Sequence, residues 1–170
     1  MTSSTGITVQ AEVADDVAAI HSLTAQAFEN VPYSDQREPL IVDALRDQQA
    51  LTLSLVAHAG DVRVGHIAFS PVTLSDGASG WFGLGPVSVL PSRQGEGIGS
   101  ELVLAGLQQL KARGAQGCVL LGDPNWYKRF GFVATPLVRL PGVPAEYFQA
   151  LLLSGEWPDA DVHYHPAFNA

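Results

Sequence analysis

Residues 87–99 read Val-Ser-Val-Leu-Pro-Ser-Arg-Gln-Gly-Glu-Gly-Ile-Gly, and they join a predicted strand to a predicted helix through a glycine-rich loop. The strand spans residues 81–90, the loop residues 92–97 and the amphipathic helix residues 98–113. Backbone N–H groups in the first turn of a helix have no intrahelical partners, and the helix dipole is positive there. Because glycine lets a ligand approach the backbone closely, the loop is typical of a phosphate site, with Arg93 adding charge at its rim.

Two familiar phosphate-binding loops do not fit this stretch. A P-loop would need Lys and then Ser or Thr directly after its last glycine, whereas Gly97 is followed by Ile98 and Gly99. The dinucleotide fingerprint would need glycine where Ser100 stands, and a series of βαβ units around it. A loop for the pyrophosphate of coenzyme A is the third interpretation. A glycine-rich turn without any ligand stays open as an alternative.

The predicted elements on either side favour a mixed α/β fold. Strands near residues 51–56, 62–74 and 81–90 are joined by short turns and predict an antiparallel meander. A short strand at residues 7–9 and helices over residues 16–28 and 38–48 precede it. Within the third strand of the meander, Pro86 cannot donate a ladder hydrogen bond, so it predicts an edge or a bulge.

After the glycine-rich loop, the pattern alternates between helix and strand. A buried strand is predicted at residues 118–121, short helical turns at 125–130, a helix over 145–153 and a last strand at 162–164. No linker or internal repeat divides the sequence, so a single domain over residues 1–170 is expected.

Composition excludes several classes of protein. Hydrophobic residues make up 46% of the 170 residues and charged residues 15%, which is typical of a globular protein rather than a disordered one. Nine basic residues against seventeen acidic ones give a net charge of −8, so nucleic acid is not expected as a partner. Cys118 is the one cysteine, which excludes an internal disulfide. No secretory signal and no membrane-spanning run is visible, so we expect a cytoplasmic protein without a membrane partner.

Two motifs in this sequence resemble those of the GNAT superfamily of acetyl-CoA-dependent N-acetyltransferases. Residues 94–99, Gln-Gly-Glu-Gly-Ile-Gly, match the pattern Gln/Arg-x-x-Gly-x-Gly/Ala. Residues 127–132, Tyr-Lys-Arg-Phe-Gly-Phe, resemble the Tyr-x-x-x-Gly-Phe segment that follows the fifth strand of that superfamily. The wider context, residues 122–132, and the terminal residues 164–168 are similar to its YhbS-like branch. The order of elements also resembles the GNAT fold, so the resemblance covers nearly the whole chain.

The resemblance implies a largely antiparallel central sheet with helices on both faces and one splayed pair of parallel strands. Acetyl-CoA would be the acyl donor, lying between the strands near residues 87–90 and 118–121, and no metal would be needed. The resemblance and the loop together predict a coenzyme-binding set: Val87, Ser88, Val89, Arg93, Gln94, Gly95, Glu96, Gly97, Ile98, Gly99, Ser100 and Asn125.

The same resemblance implies acetyl transfer by direct attack of an amine on the thioester. The backbone N–H of Val89 would stabilise the oxyanion, and Tyr127 would donate a proton or a hydrogen bond to the leaving thiolate. Many relatives use a glutamate on the coenzyme-binding strand as general base, but residues 81–90 contain no carboxylate. His66 on the neighbouring strand is the leading candidate for that role, followed by Glu29 and Asp123.

Several alternatives stay open at the level of sequence. The acceptor would be a small-molecule or peptide amine, and acidic residues in the first two helices hint at a cationic one, although a solvated helix face explains them equally well. An acyltransferase with a different acyl-CoA or a hydroxyl acceptor, or a non-catalytic CoA-binding module, would carry the same loop. Either a monomer or a homodimer is compatible with the sequence. His163 and His165 have a spacing that can bind metal, but two surface histidines are the simpler interpretation.

Overall fold

The computed structural model describes residues 6–170. The predicted single domain and the predicted absence of a secretory signal also concern residues 1–5, which lie outside the described residues.

Nine strands and four α-helices make up the described part of the chain, together with short 3-10 turns. In chain order they are β1 Ile7–Ala11, α1 Val17–Phe28, α2 Glu38–Asp47, β2 Leu53–Ala59, β3 Val62–Pro71, β4 Thr73–Leu74, β5 Trp81–Val89, α3 Ile98–Ala112, β6 Gly117–Leu121, α4 Pro124–Tyr127, β7 Val138–Arg139, β8 Phe148–Leu152 and β9 Ala160–His163.

The main sheet has six strands in the order β1-β2-β3-β5-β6-β8. All neighbours are antiparallel except β5 and β6, which run parallel. The parallel pairing joins residues 81–83 to residues 117–119, and neither strand continues the ladder beyond that point. The predicted largely antiparallel sheet with one splayed parallel pair is therefore confirmed. The gap between β5 and β6 opens towards the glycine-rich loop.

A bulge interrupts the pairing of β5 with β3, as Pro86 predicts. The register passes from Ile67 opposite Val87 to Phe69 opposite Leu84, so β5 carries an extra residue, and the Gly85–Pro86 peptide is cis. A bulge increases the local twist of a strand and turns it away from its neighbour. It lies at the level where β5 separates from β6.

Helices cover both faces of the main sheet. On one face α3 packs so closely over β3 that a Cβ at Gly106 would overlap the ring of Phe69. On the opposite face Ile20 of α1 and Val42 of α2 form a buried cluster with Val56 of β2. Neighbouring residues of a strand point to opposite faces, so each of these layers receives alternate side chains.

Two predictions at the ends of the sheet are wrong. Residues 145–153 form a 3-10 turn and strand β8 instead of a helix, because β8 pairs antiparallel with β6 and completes its hydrogen bonds. The predicted long strand over residues 62–74 is divided into β3 and β4. The short β4 leaves the main sheet and pairs with β9, which also pairs with β7 to form a second, three-stranded sheet.

Candidate active site

The glycine-rich loop leads from the end of β5 into α3 by way of a 3-10 turn at Pro91–Arg93. Gly95 and Gly97 have φ values of +81° and +86°, in the left-handed region that side chains disfavour. A Cβ at Gly97 would meet nothing within 4 Å, so its Cα faces open space. The side chain of Gln94 fixes the loop to the strand by donating to the carbonyl of Val89 at 3.2 Å. The loop thus presents the bare N-terminus of α3 to solvent.

A cleft of about 490 Å³ lies against this loop. Its lining comes from the end of β5, the loop, the first turn of α3 and the α4 region: Val87, Val89, Arg93, Gln94, Gly95, Gly97, Ile98, Gly99, Ser100, Trp126, Tyr127 and Arg129. The structure therefore brings Tyr127 together with most of the predicted coenzyme-binding residues in one cleft.

Three of the predicted coenzyme-binding residues do not line the cleft. Glu96 is exposed and forms an ion pair with Arg93 at 3.0 Å, which places a negative charge beside the rim arginine. Asn125 is exposed, and its backbone N–H is donated to the Asp123 carboxylate that caps α4. Ser88 is buried and belongs to the opposite face of β5.

The α4 region forms an aromatic wall opposite the loop. Trp126 contacts Tyr127 edge-on with ring centroids 4.7 Å apart, and Phe130 edge-on at 5.1 Å. The guanidinium of Arg129 lies 5.2 Å above the Trp126 ring, close enough for a cation–π contact. Trp126 and Arg129 also line the cleft, although no sequence motif assigned them to it. Their positions within three residues of Tyr127, on the same short helical segment, are the signal that could have placed them there.

Tyr127 is a half-buried tyrosine whose hydroxyl stays protonated. Burial raises the pKa of Tyr127 to about 12, because the phenolate would lose its hydration. Its ring packs over Gly122, where a Cβ would lie 2.7 Å from Cε2. Tyr127 can therefore act as a hydrogen-bond or proton donor at neutral pH.

His66 lies on β3, on the face of the sheet covered by α1 and α2, and not in the cleft. Its side chain is fully buried, and its Nε2 lies 2.8 Å from Ser54 Oγ. Burial lowers the pKa of His66 to about 4, because a charged imidazole would be desolvated there. The histidine is therefore neutral at pH 7 and is shielded from direct contact with any ligand in the cleft.

The buried neutral histidine makes stability depend on pH. Its folded pKa of about 4 lies below the value of 6.5 expected for an exposed histidine. Between those values the unfolded chain binds the proton and the folded chain does not. The contribution of His66 to the free energy of unfolding is therefore fully present above about pH 6.5 and is lost as the pH falls towards 4. We expect His66 to account for a loss of about 3 kcal/mol in unfolding free energy between pH 7 and pH 4.

Urea denaturation at a series of pH values measures this effect. The variant His66→Gln is expected to be less stable at pH 7 but to lose that part of the pH dependence. An equal slope in the variant and the parent protein over this range would contradict the assignment to His66.

The other candidates have structural roles. Burial raises the pKa of Cys118, so this thiol is not a nucleophile. His165 Nδ1 accepts the backbone N–H of Ala167 and caps the last 3-10 turn, while His163 is exposed on β9. Over residues 6–170 no group of three or more His, Cys, Asp or Glu side chains is arranged to hold a metal ion. Within the same residues, no helix has the length and apolar character to span a bilayer.

Acidic residues in and just before α2 form local pairs. Asp43 bonds His21 at 2.7 Å, Glu38 accepts from Ser34, and Asp35 lies 3.7 Å from the Arg37 guanidinium. These pairs favour the interpretation that the acidic residues belong to a solvated helix face, and not to a binding site for a cationic acceptor.

A glycine-rich loop and an uncapped helix N-terminus beside a splayed pair of parallel strands form the class of site that suits a phosphate-bearing ligand. Residues 17–132 match the Acetyltransferase (GNAT) family, and the chain belongs to that family.

Relatives in Escherichia coli strain K12 agree with this assignment. The uncharacterized N-acetyltransferase YhbS is 38% identical over 125 residues, which cover 73% of this chain and 72% of YhbS. The uncharacterized N-acetyltransferase YjhQ is 32% identical over 135 residues, covering 78% of this chain and 71% of YjhQ.

Two solved structures share the whole architecture. A GNAT family acetyltransferase from Brucella melitensis, in complex with acetyl-CoA, is 51% identical with a TM-score of 0.86, covering 95% of this chain and 97% of that one. YhbS from Escherichia coli, in complex with CoA, is 31% identical with a TM-score of 0.87, covering 100% of this chain and 96% of that one. The predicted family and fold are confirmed.

Proposed function

We propose that this protein transfers the acetyl group of acetyl-CoA to a primary amine by direct attack. The observation that carries the proposal is the continuous cleft from the α3 N-terminus to Tyr127 at the splay of β5 and β6. The acetyl-CoA and CoA complexes of the two structural relatives support the same donor here. The cytoplasmic location and the choice between monomer and homodimer stay predictions from the sequence.

The coenzyme would lie with its pyrophosphate on the loop and its pantetheine arm along β5. Backbone N–H groups of the loop and the first turn of α3, which no side chain caps, would face the dianionic pyrophosphate. Arg93 and Arg129 line the same cleft and add positive charge near it. The missing ladder between β5 and β6 leaves backbone groups of residues 87–89 available to the amides of the pantetheine.

The backbone of β5 supplies a donor for the oxyanion. Leu90 N–H is donated to the carbonyl of Val64 on β3. Because successive N–H groups of a strand alternate in direction, the N–H of Val89 points to the other edge of β5, towards the gap. There it can stabilise the negative charge that develops on the thioester oxygen when the amine attacks.

Tyr127 would then assist the departure of the coenzyme thiolate. Its raised pKa keeps the hydroxyl protonated over the whole neutral range, so it can donate a hydrogen bond that stabilises the thiolate as it leaves. The tyrosine lines the same cleft as Val87 and Val89, so its hydroxyl and the leaving thiolate would lie in one cleft.

A two-stage assay tests the proposal. Isothermal titration should detect binding of acetyl-CoA and CoA but not of ATP or NAD. Acetyl transfer is then measured with a panel of amines: spermidine, kanamycin, free amino acids and a peptide with a free N-terminus. Turnover with at least one of them is the expected result. Tight acetyl-CoA binding without turnover on any amine would instead favour a non-catalytic CoA-binding module, consistent with the lack of a carboxylate on β5.

A further inference from the structure

Arg129 places a guanidinium on the wall of the cleft in a fixed orientation. Its Nε donates to the carbonyl of Trp126 at 2.9 Å, and its Cζ lies 5.2 Å from the centroid of the Trp126 ring. Both contacts come from one residue of the same helical segment, so they orient the guanidinium relative to the wall. Within residues 6–170 the terminal nitrogens have no protein acceptor, so their N–H groups are available to a ligand.

The positive charge of Arg129 is not offset by a carboxylate. Arg93, the other arginine that lines the cleft, is paired with Glu96 at 3.0 Å. In the described part of the chain, Arg129 and Arg113 are the arginines that form no ion pair with Asp or Glu, and of the two only Arg129 lines the cleft. In a chain of net charge −8, an unpaired arginine beside a loop that suits phosphate is a binding group for a further anion.

Trp126 brings this arginine to the level of the glycine-rich loop. A Cβ at Gly99, in the first turn of α3, would lie 3.6 Å from Cη2 and Cζ2 of the Trp126 ring. The guanidinium of Arg129 lies over the same ring, so one indole connects the arginine to the helix N-terminus. The cleft therefore offers phosphate groups two elements: backbone N–H groups on one wall and a guanidinium on the other.

Coenzyme A carries two kinds of phosphate that these elements can bind. Its pyrophosphate suits the backbone N–H groups of the loop and of the helix N-terminus. Its ribose also carries a 3′-phosphate, a monoester with a second pKa of about 6, which is therefore largely dianionic at pH 7. A planar guanidinium binds such a group through two parallel hydrogen bonds. Once the loop holds the pyrophosphate, the 3′-phosphate is the anionic group that the arginine fits.

We propose that Arg129, oriented by Trp126, binds the 3′-phosphate of coenzyme A, and that the protein thereby selects CoA thioesters over thioesters that lack this phosphate. The inference rests on the proposed acetyl transfer and adds the nucleotide half of the donor to what the cleft recognises. Acetyl-dephospho-CoA and acetyl groups carried on phosphopantetheine would be poor donors. Trp126 is a positioning residue, because it acts on the phosphate only through the guanidinium.

Isothermal titration with CoA and dephospho-CoA tests the contact, because the two ligands differ only in the 3′-phosphate. At low ionic strength, the parent protein is expected to bind CoA at least about tenfold more tightly than dephospho-CoA, since charge-assisted bidentate hydrogen bonds are strong polar contacts. In Arg129→Gln, the affinity for CoA should fall to near that for dephospho-CoA, and the affinity for dephospho-CoA should change less than about twofold.

Arg113→Gln is the matched control. Arg113 follows α3 at the end opposite to the loop, and its guanidinium donates to the carbonyl of Thr52 at 3.0 Å. Because Arg113 lies outside the cleft, this variant removes the same charge and should leave the ratio of the two affinities unchanged. An equal fall of the ratio in both variants would mean that net charge favours CoA, and would overturn the contact at Arg129.

A double-mutant cycle tests the role of Trp126. Trp126→Leu removes the ring under the guanidinium but retains the carbonyl that accepts its Nε. The ratio of the CoA and dephospho-CoA affinities should fall about threefold when this change is made in the parent protein. It should not change when the same substitution is made in Arg129→Gln. A fall of the ratio in both backgrounds would overturn the positioning role of Trp126.

Phosphorus-31 NMR of bound CoA provides an independent measurement. The 3′-phosphate is the phosphate of CoA that titrates near neutral pH, so its resonance can be followed separately from those of the pyrophosphate. A neighbouring guanidinium favours the dianion and lowers the pKa of the monoester. The bound 3′-phosphate should therefore have a lower pKa in the complex with the parent protein than in the complex with Arg129→Gln. Equal pKa values in the two complexes would contradict the contact.

The outcomes separate this inference from the proposed function. Equal affinities of the parent protein for CoA and dephospho-CoA overturn the 3′-phosphate contact and leave the acetyl-CoA site intact. A loss of affinity in Arg129→Gln that is the same for both ligands assigns the arginine to the pyrophosphate and also overturns the inference. Failure of the parent protein to bind either ligand overturns the proposed function.

Discussion

Gly97→Trp is expected to weaken binding of acetyl-CoA and CoA at least about 100-fold, or about 3 kcal/mol. Gly97 is the residue before α3, and its Cα faces the open cleft, where an added Cβ would meet nothing within 4 Å. An indole there would occupy the space that the pyrophosphate needs and would cover the first N–H groups of the helix. Isothermal titration of acetyl-CoA into parent and variant proteins measures the loss.

Gly114→Trp is the matched control for this variant. Gly114 follows the other end of α3, has a φ of +80° against +86° at Gly97, and also has nothing within 4 Å of a Cβ. Both substitutions therefore carry a similar backbone strain of about 1–2 kcal/mol, but only Gly97 lies in the cleft. Equal losses of acetyl-CoA affinity in the two variants would mean that strain, and not occupation of the loop, weakens binding.

Tyr127→Phe is expected to lower kcat about 100-fold while KM for acetyl-CoA changes little, because the hydroxyl acts when the thiolate leaves and not when the coenzyme binds. Because burial raises the pKa of Tyr127 to about 12, the hydroxyl stays protonated at lower pH. The parent kcat should therefore show no falling limb from this group between about pH 6 and pH 9. Steady-state kinetics over that range measure both effects.

Tyr147→Phe provides the comparison for the tyrosine. Tyr147 is 46% exposed and does not line the cleft. Removal of its hydroxyl is therefore expected to leave both kcat and KM for acetyl-CoA unchanged. A Tyr127→Phe variant with the parent kcat would remove the proposed acid role, while leaving the pyrophosphate loop and the acetyl-CoA site intact.

Local sequence signals were sufficient to predict the part of the site that is made of backbone. The φ values of Gly95 and Gly97 and the start of α3 follow from glycine's freedom at positive φ and from the apolar spacing after it. Pro86 indicated the bulge for an equally local reason, since its nitrogen has no hydrogen to donate. These features depend on residues close together in the chain, so a linear pattern carries them.

The segment around residues 145–153 shows where local signals fail. Its alanine, glutamate and leucine residues favour a helix, yet it forms β8 because the open edge of β6 requires a partner for its N–H and C=O groups. The free energy gained by completing that edge depends on β6, which lies about 30 residues earlier in the chain. Strand preference is decided by such long-range packing more than by the residue itself.

The sequence by itself determined the family and predicted a phosphate loop and Tyr127 as a candidate donor, because each depends on residue type at short spacing. Only the tertiary structure decided on which face each side chain lies. It placed Val87 and Val89 in the cleft and Ser88 behind it, since alternate residues of a strand point in opposite directions. It also joined Glu12, which follows β1, to Ser54 of β2 and His66 of β3. No sequence pattern shows that contact, because it is made by the register of the sheet.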